Sequence, residues 1–164
     1  MVDTPTMNRQ IPLLFTYHDR VVGMGFTAVV SSYGRVLAAE GDGEVWIYGV
    51  EPGGIAASGS DPKEALEAFR LNFTNVLRDF ASKVRSFTEF EALVQAFFAD
   101  VNKPNEEDWL RAVEAVRAGS LNIPDVRREP AESRRFVQVD EQKSIAKGGN
   151  FGVDGSTIKS SVAA

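Results

Sequence analysis

The chain has 164 residues, of which 43% are hydrophobic and 11 are phenylalanine, and its formal net charge at pH 7 is −5. A chain of this size can build one sizeable core but is short for two full domains. It contains no cysteine, which excludes disulfides, thiolate nucleophiles and cysteine-ligated zinc. Acidic side chains outnumber basic ones before residue 119, and this balance disfavours nucleic-acid binding by the body of the chain.

The N-terminal segment does not have the pattern of a signal peptide or a membrane span. Its longest apolar run, residues 11–15, is interrupted by Pro12. No charged region precedes a long apolar stretch, as it would in a signal peptide. We therefore expect a cytoplasmic protein without a membrane partner.

Residues 11–57 are predicted to form strands, because short runs of β-branched and aromatic residues alternate there with glycine. Turns are expected at residues 32–34 and 41–43, where glycine allows a positive φ. The pattern predicts an antiparallel meander of four to five strands. The runs are IPLLFTY, GFTAVVSS, RVLAAE, EVWIYG and GIAAS.

A helix is predicted over about residues 61–85, because the period of the apolar residues changes there from two residues, as in a strand, to about 3.6 residues, as in a helix. Asp61 is placed to cap its N-terminus, Pro62 is suited to the first helical position, and Glu64 completes a capping box. The apolar positions are Leu66, Phe69, Phe73, Val76, Leu77, Phe80 and Val84.

Two further helices are predicted over about residues 89–102 and 106–118. Thr88 and Glu91 form the cap pair expected for the first of them. Asn105 is the expected cap of the second, and Gly119 is expected to end it. Their apolar faces are Phe90, Leu93, Val94, Phe97, Phe98 and Val101, then Trp109, Leu110, Val113 and Val116.

Residues 1–120 are thus predicted to be a single α+β domain, and residues 121–164 a flexible tail. The tail is rich in Arg, Glu, Ser, Gly and Lys, with few apolar residues. Residues 135–139 and 156–162 are expected to become strands or helical turns when they dock onto a partner. The predicted partner-binding side chains are Phe136, Val137, Phe151 and Ile158.

No catalytic, cofactor-binding or metal-binding residue is predicted. His18 is the only histidine, so a histidine pair or an HExxH zinc site cannot form. Although a general base beside Asp19 is an alternative for His18, a solvent-facing position at a strand end is favoured. The glycine-rich segments match neither the P-loop nor the dinucleotide pattern, and we interpret them as turns.

One alternative is catalytic. Asp42, Glu44 and Glu51 could gather at one edge of the sheet and hold magnesium, as in a divalent-metal nuclease of degenerate ribonuclease H-like fold. This requires the three carboxylates to converge, so their positions in the structure are the test of the alternative.

The centre of the chain resembles the HicB-like antitoxin family over roughly residues 35–75. The resemblance rests on residues 41–43, 45–48, 52–56 and 64–65, together with Gly59. Proteins of that family have, in this order, a hairpin that ends in a Pro-Gly corner, a short strand that carries a glycine, and a helix that starts with Glu-Ala.

The resemblance implies a partial ribonuclease H-like fold that holds a protein partner. In the toxin–antitoxin pairs the antitoxin blocks a small RNA-cleaving toxin. Residues 106–118 begin with acidic side chains and form no base-reading cluster, so the DNA-binding module that often accompanies the family is not expected there.

The function predicted from the sequence is therefore non-enzymatic. We expect a protein–protein interaction module of antitoxin type that binds and neutralises a partner, without a cofactor. The second alternative, besides the nuclease, is a homo-oligomeric scaffold in which an open sheet edge pairs with its twin.

Overall fold

A mostly antiparallel sheet and three helices form the chain in a computed structural model, which describes residues 9–123, 127–132, 136–142 and 156–164. The predicted α+β class is confirmed. No helix in these ranges is long and apolar enough to cross a membrane. The elements are β1 (Arg9–Val22), β2 (Thr27–Gly41), β3 (Glu44–Glu51), β4 (Ala56–Gly59), α1 (Pro62–Lys83), α2 (Phe87–Ala99), α3 (Lys103–Arg117), β5 (Arg128–Glu129), β6 (Phe136–Glu141) and β7 (Thr157–Ala163).

The sheet is built around β2, which pairs with β1 from Thr27 to Glu40. The other edge of β2 is shared by two strands that lie end to end: β6 pairs with residues 28–33 and β3 with residues 35–41. The strand order is β4-β3-β2-β1-β7-β5, and the β5–β7 pair is parallel. A 15-residue strand therefore organises almost the entire sheet.

The turn predicted at residues 32–34 is wrong, because β2 runs straight through it and joins two of the expected strands. Gly34 instead allows the backbones of β2 and β3 to come close together, since a Cβ at this position would lie 2.4 Å from the carbonyl oxygen of Glu51. The turn at residues 41–43 is confirmed. Asp42 and Gly43 have φ values of 49° and 75°; glycine adopts such values without strain, and aspartate tolerates them better than most residues do.

The segment predicted as a flexible tail contributes three strands to the sheet in its described parts. The segments 135–139 and 156–162, expected to order on a partner, largely correspond to β6 and β7, which pair with the chain's own β2 and β1. Val139 and Val162 are buried in the core. The polar composition is misleading because most other positions of these strands face solvent.

The helices begin where a polar side chain caps them. Asp61 caps α1 as predicted, and its carboxylate accepts a hydrogen bond from the Glu64 amide at 2.8 Å. The predicted caps of the other two helices are wrong: Ser86 caps α2 and Asn102 caps α3. Both segments offer more than one residue of capping type, and pattern alone does not choose between them. Gly119, with φ 75°, follows α3 as predicted.

The three helices enclose the sheet from two sides. We call the side covered by α1 and α2 the α1 face, and the side crossed by α3 the α3 face. Each face has its own apolar cluster. The largest buried side chains on the α1 face are Phe15, Tyr17, Phe69, Phe73 and Phe90, and those on the α3 face are Leu14, Leu37 and Trp109.

The corner after β3 holds the connection between α2 and α3. The Gly53 amide donates to the Asp100 carbonyl at 2.7 Å, and the Asn102 amide donates to the Val50 carbonyl at 3.0 Å. A Cβ on Gly53 would lie 2.3 Å from the Asn102 nitrogen. Glycine at this corner therefore allows the two backbones to meet and sets where α3 begins.

We expect Gly53→Ala to lower the free energy of unfolding by about 2 kcal/mol, because the added methyl group forces the two backbones apart. The matched control is Gly54→Ala, whose added Cβ would meet its nearest atom, in Phe97, at 3.7 Å. Urea unfolding followed by circular dichroism measures both. An equal loss in the two variants would contradict the proposed close contact.

Candidate interaction surface on the α3 face

The α3 face is organised around the buried guanidinium of Arg35. Its Nη2 lies 2.6 Å from Oε2 of Glu106 and 3.6 Å from Oε1 of Glu51. The guanidinium carbon is 5.2 Å from the ring centroid of Trp109, within the range of a cation–π interaction. Arg35 is only 3% exposed, so these contacts replace water as its surroundings.

These partners come from three elements. Arg35 lies where β2 passes from β6 to β3, Glu51 ends β3, and Glu106 belongs to the first turn of α3. The indole nitrogen of Trp109 also donates to the Leu13 carbonyl of β1 at 3.2 Å. Charge and hydrogen bonding thus tie α3 to the three central strands.

The hydrogen bond from Arg35 lowers the pKa of the Glu106 carboxyl below its ordinary value of 4.5, and the positive charges of Arg35 and Lys103 lower it further. Partial burial opposes this shift. The Lys103 ammonium lies 3.4 Å from Oε1 of Glu106. At neutral pH the Glu106 carboxylate therefore remains ionised beside the enclosed guanidinium of Arg35.

Because α3 crosses the middle of its face, aromatic side chains remain accessible on both sides of it. Trp46 and Tyr48 stack on β3 with ring centroids 5.7 Å apart and an interplanar angle of 10°. Tyr33 of β2 and Phe136 of β6 stack with centroids 6.4 Å apart. Trp46 is 39% and Phe136 43% exposed. We call these two pairs the aromatic flanks.

The four residues predicted to bind a partner have different surroundings. Phe136 belongs to an aromatic flank and is accessible. Val137 and Ile158 are half-buried and pack against the core on the α1 face, so the chain itself uses most of their apolar surface. Phe151 lies outside the described residues. The structure thus brings Phe136 together with Tyr33, which sequence reasoning did not select.

The carboxylates proposed for the nuclease alternative do not converge. Asp42 and Glu44 lie at the β2–β3 turn, whereas Glu51 is at the far end of β3 and pairs with Arg35. Seven residue steps at roughly 3.3 Å each separate Glu44 from Glu51 by about 23 Å. Within the described ranges, no group of three or more Asp, Glu or His side chains is arranged to hold a metal ion.

His18 is exposed, as favoured from the sequence, although β1 continues past it to Val22. Its Nδ1 lies 3.0 Å from the Ser31 hydroxyl. Asp19, the neighbour considered with it, is buried on the opposite face and accepts a hydrogen bond from the Tyr17 hydroxyl at 3.1 Å. Burial raises the pKa of Tyr17, so this hydroxyl stays protonated.

The Arg35 cluster is the feature that sequence reasoning missed. The sequence pattern places Arg35 only at the start of a strand and Glu106 only near a helix N-terminus. One feature of the sequence does indicate a buried charge: Arg35 stands between Gly34 and an apolar run. An apolar run is typical of a strand that is buried on both faces, and a charged residue within such a strand needs a partner. Its acidic partners are 16 and 71 positions away in the sequence, and local pattern cannot identify them.

Scans against protein-family models, curated proteins and solved structures found no match for this chain. The geometry of the α3 face is therefore the basis for a functional proposal. That face carries an enclosed ion cluster with a structural role and exposed stacked aromatic pairs beside it.

We expect acid to remove the contribution of Glu106. Because its pKa is lower in the folded chain, the carboxylate contributes stability that is present above its unfolded-state pKa and is lost as pH falls through the folded-state value. The difference in unfolding free energy between wild type and Glu106→Gln should therefore shrink below about pH 4.5. Urea unfolding between pH 3 and 7 measures it, with Glu107→Gln, an exposed neighbour, as the control. A pH-independent difference would contradict the assignment.

Arg35→Met should lower the free energy of unfolding by about 3 kcal/mol, because Glu51 and Glu106 would lose the buried cation that they share. Adding Glu106→Leu should recover part of this loss, since only one carboxylate then remains. The control Arg111→Met removes an exposed guanidinium that pairs with Asp108, and we expect a change within about 0.5 kcal/mol. If the double variant is less stable than Arg35→Met, the carboxylate pair is not the cause.

Proposed function

We propose that this chain is a non-enzymatic protein-interaction module of HicB-like antitoxin type, which binds and neutralises a protein partner. The observation that carries the proposal is the exposure of the aromatic flanks on the α3 face. Trp46 and Phe136 are each more than a third exposed although they stack on a neighbouring ring.

Stacked, accessible aromatics are suited to binding a protein surface. Trp and Tyr are enriched at the energetic centres of interfaces because they bury a large area. Each of these rings already packs against another, so little side-chain freedom is left to lose when a partner covers it. The flanks are thus preorganised for contact.

The order of elements around the corner agrees with the family resemblance. The β2–β3 hairpin, the corner at Pro52 and Gly53, the short strand β4 with Gly59, and α1 follow one another as the resemblance implies. Helices α2 and α3 and the strands β5, β6 and β7 are additions to that plan. They supply Phe136 and the helix that separates the flanks.

The alternative of a homo-oligomer paired through a sheet edge receives less support. The strands at the two ends of the strand order are short, with four residues in β4 and two in β5, and short edge strands discourage pairing with another sheet. The side-chain amide of Asn72 on α1 also donates a hydrogen bond to the Ala56 carbonyl of β4 at 2.9 Å, so one backbone acceptor of β4 is already occupied. A partner that covers the face fits this arrangement better.

We expect the gene beside this one to encode the partner, so the test is binding and inhibition of the product of that adjoining reading frame. The purified chain should bind that protein and suppress its cleavage of RNA, and Trp46→Ser should weaken binding by about tenfold to a hundredfold. Leu71→Ser is the matched control, because Leu71 is 49% exposed but lies on α1. Calorimetry measures affinity, and circular dichroism verifies that the variants fold.

Two results would count against the proposal. Either the wild-type chain neither binds nor inhibits the adjoining product, or Trp46→Ser and Leu71→Ser reduce the affinity equally. The second result would leave a binding protein whose surface is not the aromatic flanks.

A further inference from the structure

A recess opens on the α1 face, beneath the first turn of α1, and we call it the tip cavity. Its volume is about 150 Å³, and apolar cavities of this size take up a benzene-sized group. Its wall is almost entirely apolar. The lining residues are Ile11, Leu13, Ala38, Glu40, Val45, Ile47, Pro62, Leu66, Ile123, Ser160 and Val162.

The cavity exists because the start of α1 carries no aromatic ring above the strands that it covers. Ile11, Ala38 and Ile47 are direct cross-strand neighbours and form its floor. From α1, Pro62 and Leu66 form the roof. The large rings of α1 begin only at Phe69, so the first turn leaves space above the floor. An aliphatic group that enters would be surrounded by apolar side chains.

The entrance of the tip cavity is acidic. An adjoining recess shares Glu40 with the cavity and is also lined by Asp42, Glu44 and Asp61. Arg9 is a positive side chain in this lining. Its Nη1 lies 3.8 Å from Oε2 of Glu40, and its Nη2 donates a hydrogen bond to the Asn122 carbonyl. Among the residues that the structure describes, four carboxylates and one guanidinium line this rim and give it a formal net charge of −3.

The apolar interior of the tip cavity and its acidic rim together restrict which ligands can bind. An anion would be repelled by the rim, whereas a bare metal ion would gain no ligands from the aliphatic floor. A fitting occupant has an aliphatic group for the cavity and positive charges for the rim. A peptide segment with one aliphatic residue between lysines or arginines has this composition.

We infer that the tip cavity receives one aliphatic side chain from a basic segment of the protein partner, whose lysines or arginines contact Glu40, Asp42 and Glu44. This inference rests on the proposed function, because a protein that cleaves RNA presents a basic surface to the phosphate backbone. The cavity provides the anchor, and the rim selects the basic partner and speeds its association.

The first experiment titrates the full chain, isotope-labelled for NMR, with the acetylated and amidated peptide RKLKR. Shifts should be largest at the methyl groups of Ile11, Val45 and Leu66, with an affinity on the order of millimolar for so short a ligand. The affinity should fall as salt is raised from 20 to 200 mM, as expected for exposed charges. Peptides RKSKR and EELEE separate the apolar anchor from the charge, and both should bind at least about tenfold more weakly.

Two matched pairs of variants locate the site. Ser160→Phe places a ring at an exposed position of the cavity wall, whereas Thr157→Phe places the same ring on the α3 face of the same strand. Glu44→Lys reverses a rim charge, whereas Glu107→Lys makes the same change on α3. The first variant of each pair should weaken RKLKR about tenfold, and the second should not. All four positions are exposed, so the variants are expected to fold.

Shifts that spread over the surface, or equal effects within each pair, would overturn the inference. If Ser160→Phe and Glu44→Lys bind the adjoining gene product as tightly as wild type, the inference fails while the proposed function stands. If that product is not bound at all but the shifts with RKLKR localise to the cavity, the proposed function fails instead. The other candidate occupant is a second copy of the chain, and sedimentation of the chain alone tests it. A dimer that Ser160→Phe dissociates would assign the cavity to that second copy and overturn the inference.

Discussion

A guanidinium enclosed between two strands and a helix must be neutralised where it lies, since an ion removed from water without compensation costs several kcal/mol. Arg35 meets this condition through Glu106 and Glu51. Glu106 belongs to α3, so neutralisation requires that helix to begin over the middle of β2. The backbone bonds of Gly53 and Asn102 act at the same end of α3. Polar contacts therefore set the position of the helix, and the apolar cluster around Trp109 supplies the buried area that holds it.

The position of α3 determines what the α3 face of the sheet presents to solvent. The helix covers Leu14 and Leu37 and leaves aromatic rings accessible on either side. One flank comes from β3 alone. The other joins Tyr33 to Phe136, more than a hundred residues later in the chain, because β6 continues the edge of β2 that β3 leaves open. The late strands therefore complete both the core and the exposed surface.

One aromatic flank, Trp46 with Tyr48, and the tip cavity meet at β3. Along this strand Val45 and Ile47 point to the cavity, whereas Trp46 and Tyr48 point to the α3 face, as alternation in a strand requires. A partner that grips the β2–β3 end of the sheet can contact aromatic rings on one side and an acidic-rimmed apolar recess on the other. In the proposed recognition β3 therefore has two roles. Its α3 face provides aromatic contact area, and its α1 face borders the acidic rim that selects a basic partner.

The sequence by itself determined the α+β class, the turn at residues 41–43, and the start of α1 at Asp61, because each depends on interactions between residues close in the chain. It also indicated apolar segments near residues 135–139 and 156–162, although it assigned them to a partner. The tertiary structure alone decided that these segments join the chain's own sheet, that Gly34 permits close packing instead of a turn, and that Arg35 is buried between two distant carboxylates. It also separated Glu51 from Asp42 and Glu44 by the length of β3. These outcomes depend on strand pairing and on charge neutralisation between residues far apart in the chain, and local periodicity carries no information about either.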